Sequence, residues 1–213
     1  MDDANENIKI VFVGWSGAGR TVLIKRYIDN YFDNTLPSTN GASYSSKNLC
    51  INKKQLTLHI WDTAGQEKFR ALIRNFVKDA KIICIAYDIT NKYSFEEIKD
   101  YWSHLALEMK EKFTVIAIVG CKSDLYKYEE VDNEEVEEFA KEIHAIFMLT
   151  TSTQQYSVDL FFETIVKKYL ESKQNDGYYS IDDIYSGFED YSKNLPSNKK
   201  NKKFLCLKKY ISY

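Results

Sequence analysis

Gly14-Trp15-Ser16-Gly17-Ala18-Gly19-Arg20-Thr21 follows the apolar run Ile8-Lys9-Ile10-Val11-Phe12-Val13 and leads into the helical pattern Val22-Leu23-Ile24-Lys25-Arg26-Tyr27-Ile28. Strand, glycine-rich loop and helix, in that order, are the context a phosphate-binding loop requires. Glycines at 14, 17 and 19 let the backbone fold back so that its N–H groups converge on a phosphate. The helix starting near Arg20 adds its positive dipole end to the same point. Thr21 supplies a hydroxyl where a magnesium ligand belongs. One position departs from the motif G-x-x-x-x-G-K-[ST]: its lysine is replaced by Arg20.

Working outward, the first helix is expected to run to about Tyr31, and Asp33, Asn34, Pro37, Ser38, Asn40 and Gly41 mark a long loop after it. Two strands follow, roughly Ala42 to Ile51 and Gln55 to Trp61, joined by the turn Asn52-Lys53-Lys54. In the second of them Leu56, Leu58 and Ile60 alternate with Thr57 and His59, the period of a half-buried strand. A loop at Asp62 and a helix over Lys68 to Lys78 come next. Ile82 to Tyr87 and Val115 to Val119 are continuous apolar runs, as in strands covered on both faces. Between them Ser94 is expected to cap a helix, with Glu97 in capping-box position and Phe95, Ile98, Trp102, Leu105 and Met109 inward. Asn133 to His144 reads as an acidic helix, Ile146 to Leu149 as a last strand and Val158 to Leu170 as a last helix. Alternating strands and helices imply an α/β fold, a six-stranded, mostly parallel sheet with one antiparallel strand and helices on both faces. Ligands in such folds bind outside the carboxyl ends of the strands.

Composition narrows the class. A hydrophobic fraction of 44% is enough for a sizeable core, and a net charge of -2 exerts no global pull on nucleic acid. The acidic start Met1-Asp2-Asp3 does not fit a secretory signal, so a cytoplasmic protein is expected. Cys50, Cys84, Cys121 and Cys206 are scattered, as reduced thiols are. From about Gln174 the character changes: acidic residues among Tyr, Ser and Gly give way to lysines at 199, 200, 202, 203, 208 and 209. The expected division is a domain over 1–173 and a flexible tail over 174–213, acidic then basic.

Two further loops carry chemistry. Trp61-Asp62-Thr63-Ala64-Gly65-Gln66-Glu67 ends a strand: Asp62 can hold a magnesium shell, the Gly65 N–H can meet a terminal phosphate, and Gln66 can orient a water. Val119-Gly120-Cys121-Lys122-Ser123-Asp124 ends another. A carboxylate at Asp124 can accept two hydrogen bonds from guanine N1–H and N2–H₂, which adenine cannot supply. Each of these residues also has a plain reading, as a loop carboxylate, a surface amide or a turn residue. What separates the readings is that all the pieces occur in order at the ends of the right elements.

With these motifs the chain resembles a Ras-superfamily small GTPase, most like the Rab branch, over roughly Ile8 to Leu170. The most specific piece is His59-Ile60-Trp61-Asp62-Thr63-Ala64-Gly65-Gln66-Glu67-Lys68-Phe69-Arg70; Tyr87-Asp88-Ile89-Thr90 followed by Ser94-Phe95 is also similar to Rab sequences. The resemblance implies that GTP or GDP binds with Mg2+. Gly14, Ser16, Gly17, Ala18, Gly19, Arg20 and Thr21 would hold the phosphates. Thr21, Thr39 and Asp62 would hold the metal, Thr39 and Gly65 the terminal phosphate, and Gln66 the attacking water. Phe32, Cys121, Lys122, Asp124, Thr151 and Ser152 would surround the base. It also implies effectors, exchange factors and GTPase-activating proteins at the switch loops; with the net charge near zero, no nucleic-acid partner is expected.

Departures from that pattern open a second reading. Arg20 keeps the charge of the lysine on a larger planar group, bent toward the phosphates or turned outward from the helix start. Cys121 stands where the N-K-x-D pattern has asparagine, and Thr153 where the family often has lysine. Trp15 is bulky for the second loop position. Asn40-Gly41-Ala42-Ser43-Tyr44-Ser45 departs from the hydrophobic Rab pattern, so known Rab effectors are not assumed. Cys206 lies too far from the end for prenylation, although the lysines around Phe204 and Leu207 suit peripheral contact with anionic membranes. The leading expectation is a guanine-nucleotide switch with weakened affinity and slow hydrolysis, in vesicle traffic. The alternative is a pseudo-GTPase that keeps the fold as an interaction module.

Overall fold

The computed structural model describes residues 6–51, 53–66 and 70–175. The expected tail beyond Asn175, with Cys206 and the terminal lysines, lies outside the described residues, as do Asn52 and the three residues Glu67, Lys68 and Phe69. The elements run β1 (Glu6–Gly14), α1 (Arg20–Asp29), β2 (Ala42–Ile51), β3 (Lys54–Thr63), α2 (Arg70–Val77), β4 (Ile82–Asp88) and α3 (Lys92–Glu97). A π turn (Ile98–Trp102) joins α3 to α4 (Ser103–Met109), and β5 (Val115–Cys121), α5 (Asn133–Glu142), β6 (Ile146–Leu149) and α6 (Gln155–Gln174) complete the chain.

The six strands lie in the order β2-β3-β1-β4-β5-β6. Only β2 runs antiparallel, paired with β3; the other neighbours are parallel. The expected sheet is therefore the observed one. Period two in β1 explains its two covered faces. Phe12 points toward the α1–α6 side, its ring 6.2 Å from Phe161 and 5.7 Å from Phe162, while Tyr27 of α1 stacks on Phe162 at 3.7 Å. Val11 and Val13 point the other way, into a core with Ile83, Ile85, Ile73, Val77, Phe95, Trp102 and Val136.

Element ends are set by capping residues. Asn30, left-handed at φ 55°, closes α1 with its N–H on the Arg26 carbonyl, two residues short of the expected Tyr31. The helix expected to be capped by Ser94 starts one turn earlier: Asn91 is the cap, its side chain accepting from the Ser94 N–H at 3.3 Å. Asparagine caps as well as serine does, and the earlier start frees Ser94 for another bond. Its fully buried Oγ accepts from the Asp88 N–H at 3.0 Å, tying the helix to the end of β4. Asp132 caps α5 by accepting from the Glu134 N–H. Parallel pairing of β1, β3, β4, β5 and β6 brings Gly14, Thr63, Asp88, Cys121 and Leu149 to one edge of the sheet.

Candidate functional site

Three loops meet at that edge. The first leaves β1 at Gly14, where φ is 128° and an added Cβ would lie 2.2 Å from the Ala86 carbonyl oxygen; only glycine fits there. The second leaves β3 and reaches Gly65, where an added Cβ would stand 2.5 Å from the Ser16 nitrogen and 2.6 Å from the Gly14 oxygen. The start of the second loop is thus pressed onto the backbone of the first. The third leaves β5 at Cys121, and its Lys122 takes the left-handed conformation at φ 63°. A Cβ built on Gly19 would lie 3.6 Å from the Cys121 Cβ, so the third loop also touches the first.

On the metal side, hard oxygens converge. Thr21 Oγ1 donates to Asp62 Oδ2 at 2.5 Å, Thr39 Oγ1 donates to the same oxygen at 3.0 Å, and the two hydroxyls are 2.8 Å apart. The other carboxylate oxygen, Asp62 Oδ1, is buried without a hydrogen-bond partner. Two hydroxyls and a carboxylate, with one oxygen unsatisfied, suit a small hard cation such as magnesium. The three residues named for the metal from sequence are therefore brought together, Thr39 from 23 positions before Asp62.

Arg20 is turned inward, with only 6% of its surface exposed. Its Nη1 donates to the carbonyls of Gly14 and Trp15, the latter at 2.8 Å, and Nη2 donates to the Thr63 carbonyl at 2.9 Å. Nε stands 3.6 Å from Asp62 Oδ1. Burial pulls the guanidinium below its usual pKa, and the Asp62 charge opposes that pull. The outward placement is excluded, and Trp15 is half-buried while its carbonyl serves Arg20.

On the opposite side, Asp124 Oδ1 accepts from Thr151 Oγ1 at 2.5 Å, and Thr153 Oγ1 lies 2.8 Å from Thr151 Oγ1. Backbone bonds from Thr150 N–H to the Gly120 carbonyl and from Ser123 N–H to the Thr150 carbonyl lock this loop to the one after β6. Lys122 Nζ donates to Asp88 Oδ2 at 2.5 Å. The Cys121 thiol is buried, with only a long contact of 3.9 Å to the Val119 carbonyl. Ser152 is half-buried beside Thr151, Phe32 is 38% exposed, and Gln66 is half-buried directly after Gly65. Ala18 is buried, Ser16 half-buried and Gly17 exposed.

Two contributors were not singled out from sequence. Thr63 holds Arg20 through its carbonyl, while its hydroxyl donates to the Phe12 carbonyl at 2.7 Å. Asp88 anchors Lys122 and also accepts from the Thr90 N–H at 2.9 Å. The carbonyl role has no side-chain signature, whereas an acid at the end of an apolar strand, as at Asp88, is a readable signal.

Burial pushes the Cys121 thiol up to about 12, against a partial opposing pull from Arg20, and raises Cys84 well above the usual thiol range. At pH 8 the Cys121 thiolate fraction is then ~10⁻⁴, and maleimide is expected to label Cys50, which is exposed, while sparing Cys84 and Cys121 until the protein unfolds. Rapid labelling of Cys121 in the folded protein, read by peptide mass, contradicts this burial. The same shift makes stability fall as pH rises from about 9 to 12, because there the unfolded thiol loses a proton that the folded one keeps.

A glycine loop between β1 and α1, an acid-bearing strand end beside it and a parallel sheet define a P-loop nucleotide-binding domain. The Ras family model matches residues 9–171, and the chain belongs to the Ras family. Members of that family are small GTPases, switches that bind GTP or GDP with magnesium and meet regulators and effectors.

Proposed function

We propose that this chain is a Rab-like guanine-nucleotide switch with weakened affinity and slow GTP hydrolysis, acting in vesicle traffic. The observation that carries the reading is the meeting of Thr21, Thr39 and Asp62 within 2.5–3.0 Å of one another, beside the glycine loop and across from Asp124. Magnesium, when bound, supplies charge neutralisation at the phosphates, and these three residues would hold it. Main-chain N–H groups from Ser16 to Thr21 would hold the phosphates, Asp124 the guanine edge, and Gln66 a water in line with the terminal phosphate. Phe32, Cys121, Lys122, Thr151 and Ser152 would complete the walls around the base. Loss of the terminal phosphate would release Thr39 and Gly65, which is how the loops report the nucleotide to effectors.

The Rab-like assignment is supported by the stretch His59 to Arg70, and an aromatic surface that departs from the Rab pattern lies beside the switch loops. Tyr44, half exposed, lies 5.2 Å from the Trp61 ring, and Trp61 lies 5.4 Å from Phe76. Tyr44 Oη and His59 Nδ1 are 2.6 Å apart, and His59 Nε2 reaches Asn7 at 2.9 Å, so this aromatic surface is polar at its rim. A role in traffic predicts that the tagged chain co-fractionates with intracellular membranes only when loaded with a GTP analogue; recovery in the soluble fraction in both states removes it.

Single-turnover hydrolysis tests the switch. A slow but measurable rate is expected, with Gln66→Ala lowering it about tenfold to a hundredfold and leaving GDP affinity unchanged. Equal rates in both proteins contradict the role given to Gln66. The pseudo-GTPase reading is favoured by one observation, the commitment of Arg20 to protein carbonyls. Weak or undetectable GDP binding in magnesium, with no hydrolysis in any variant, supports it.

A further inference from the structure

Arg20 stands where the loop motif has lysine, and the two side chains differ in more than size. A guanidinium carries five N–H donors in a rigid fork, an ammonium three on a rotating point charge. In this chain three of the five donors are spent on the carbonyls of Gly14, Trp15 and Thr63. A fourth, on Nε, faces the otherwise unpaired Asp62 Oδ1 at 3.6 Å. One N–H of Nη2 is left over. Arg20 therefore ties the glycine loop to the end of β3 and neutralises the carboxylate of the metal side, using protein groups alone. It gives a phosphate at most one hydrogen bond unless those ties are broken.

We propose that Arg20 is an internal clamp that keeps the phosphate loop and Asp62 organised without a nucleotide, making the nucleotide-free protein a long-lived state from which guanine nucleotide exchanges readily. The inference rests on the nucleotide reading of the site and deepens it. Linkage supplies the physical link: whatever stabilises the free form and must be given up on loading is subtracted from the binding free energy. A lysine ammonium at position 20 would satisfy fewer carbonyls, leaving the free loop less ordered and more of the cation's donors for phosphate oxygens.

The test compares wild type with Arg20→Lys and Arg20→Met, each as the full chain stripped of nucleotide with chelator and phosphatase and then reloaded with GDP and magnesium. Nucleotide-free Arg20→Lys is expected to melt about 5 °C lower than nucleotide-free wild type. Its GDP affinity is expected to rise tenfold or more, and its GDP-loaded form to melt no lower than loaded wild type. The widened gap between free and loaded melting points is the signature, because a merely structural loss lowers both. Ile165→Val, at a fully buried core position of α6, serves as that control and is expected to move both points together with GDP affinity unchanged. Arg20→Met, which leaves Asp62 without a counter-charge, is expected to melt lower still when free. If it fails to fold, Arg20→Lys decides alone. The clamp is overturned if free Arg20→Lys melts no lower than wild type, or if it binds GDP no more tightly. Should wild type bind no GDP at all, the functional reading of the site falls, and the melting of the free proteins still judges the clamp.

Discussion

Asp62→Ala is expected to destabilise the protein by about 3–5 kcal/mol, the usual result of removing one member of a buried ion pair. Asp62 is only 2% exposed and Arg20 6%, so the guanidinium would be left in the interior with its counter-charge gone. The same change strips the shared acceptor from Thr21 and Thr39, so the long loop before β2 would lose its anchor as well. Melting should fall by about 6–20 °C for a domain of this size, and magnesium should no longer raise the melting point of the GDP-loaded protein. The double variant Asp62→Ala with Arg20→Met separates the two effects: stability should partly recover because no charge is stranded, whereas the magnesium response should stay lost. Asp62→Ala melting within 2 °C of wild type contradicts the buried pair.

The second large effect concerns the base. Asp124 is the proposed acceptor for sorting guanine from adenine, and Thr151 fixes its orientation through a hydroxyl bond of 2.5 Å. Asp124→Ala removes two hydrogen bonds to a charged group, each worth roughly 1.5–3 kcal/mol, so GDP affinity should drop by ~10²–10⁴-fold. Adenine nucleotides, which make no such bonds, should bind equally weakly to both proteins. Thr151→Val is expected to give a smaller loss of the same kind, because the carboxylate remains but is no longer aimed. Competition titrations of GDP against ADP measure both. Undiminished preference for GDP in Asp124→Ala would place base recognition elsewhere.

Much of this was readable from the chain because it depends on spacing. The loop at Gly14 to Thr21 and the acid at Asp62 sit at ends of apolar runs, and strands with that pattern must lie in a parallel sheet whose carboxyl ends share an edge. Ala42–Ile51 and Ile146–Leu149 are strands with the bounds expected from the sequence. What escaped was decided by competition between similar groups or by backbone atoms. Asn91 and Ser94 are both good caps three residues apart, and the deciding factor was the buried bond from the Asp88 N–H to the Ser94 hydroxyl, a tertiary fact. The direction of Arg20 was likewise undecidable from residue type. It turns inward because the carbonyls of Gly14, Trp15 and Thr63 point into the loop, and carbonyl directions leave no mark in a sequence.

The central claim is that loops after β1, β3 and β5 form one pocket for a guanosine phosphate chelated to a divalent cation. Calorimetric titration of the purified, nucleotide-stripped chain with GDP, in magnesium and again in excess chelator, tests it most directly. Saturable one-to-one binding with a Kd at or below about 10 μM, weakened when magnesium is withdrawn and absent for ADP at the same concentrations, is the predicted result. No heat of binding for GDP or GTP up to millimolar concentration, or equal binding of GDP and ADP, contradicts it.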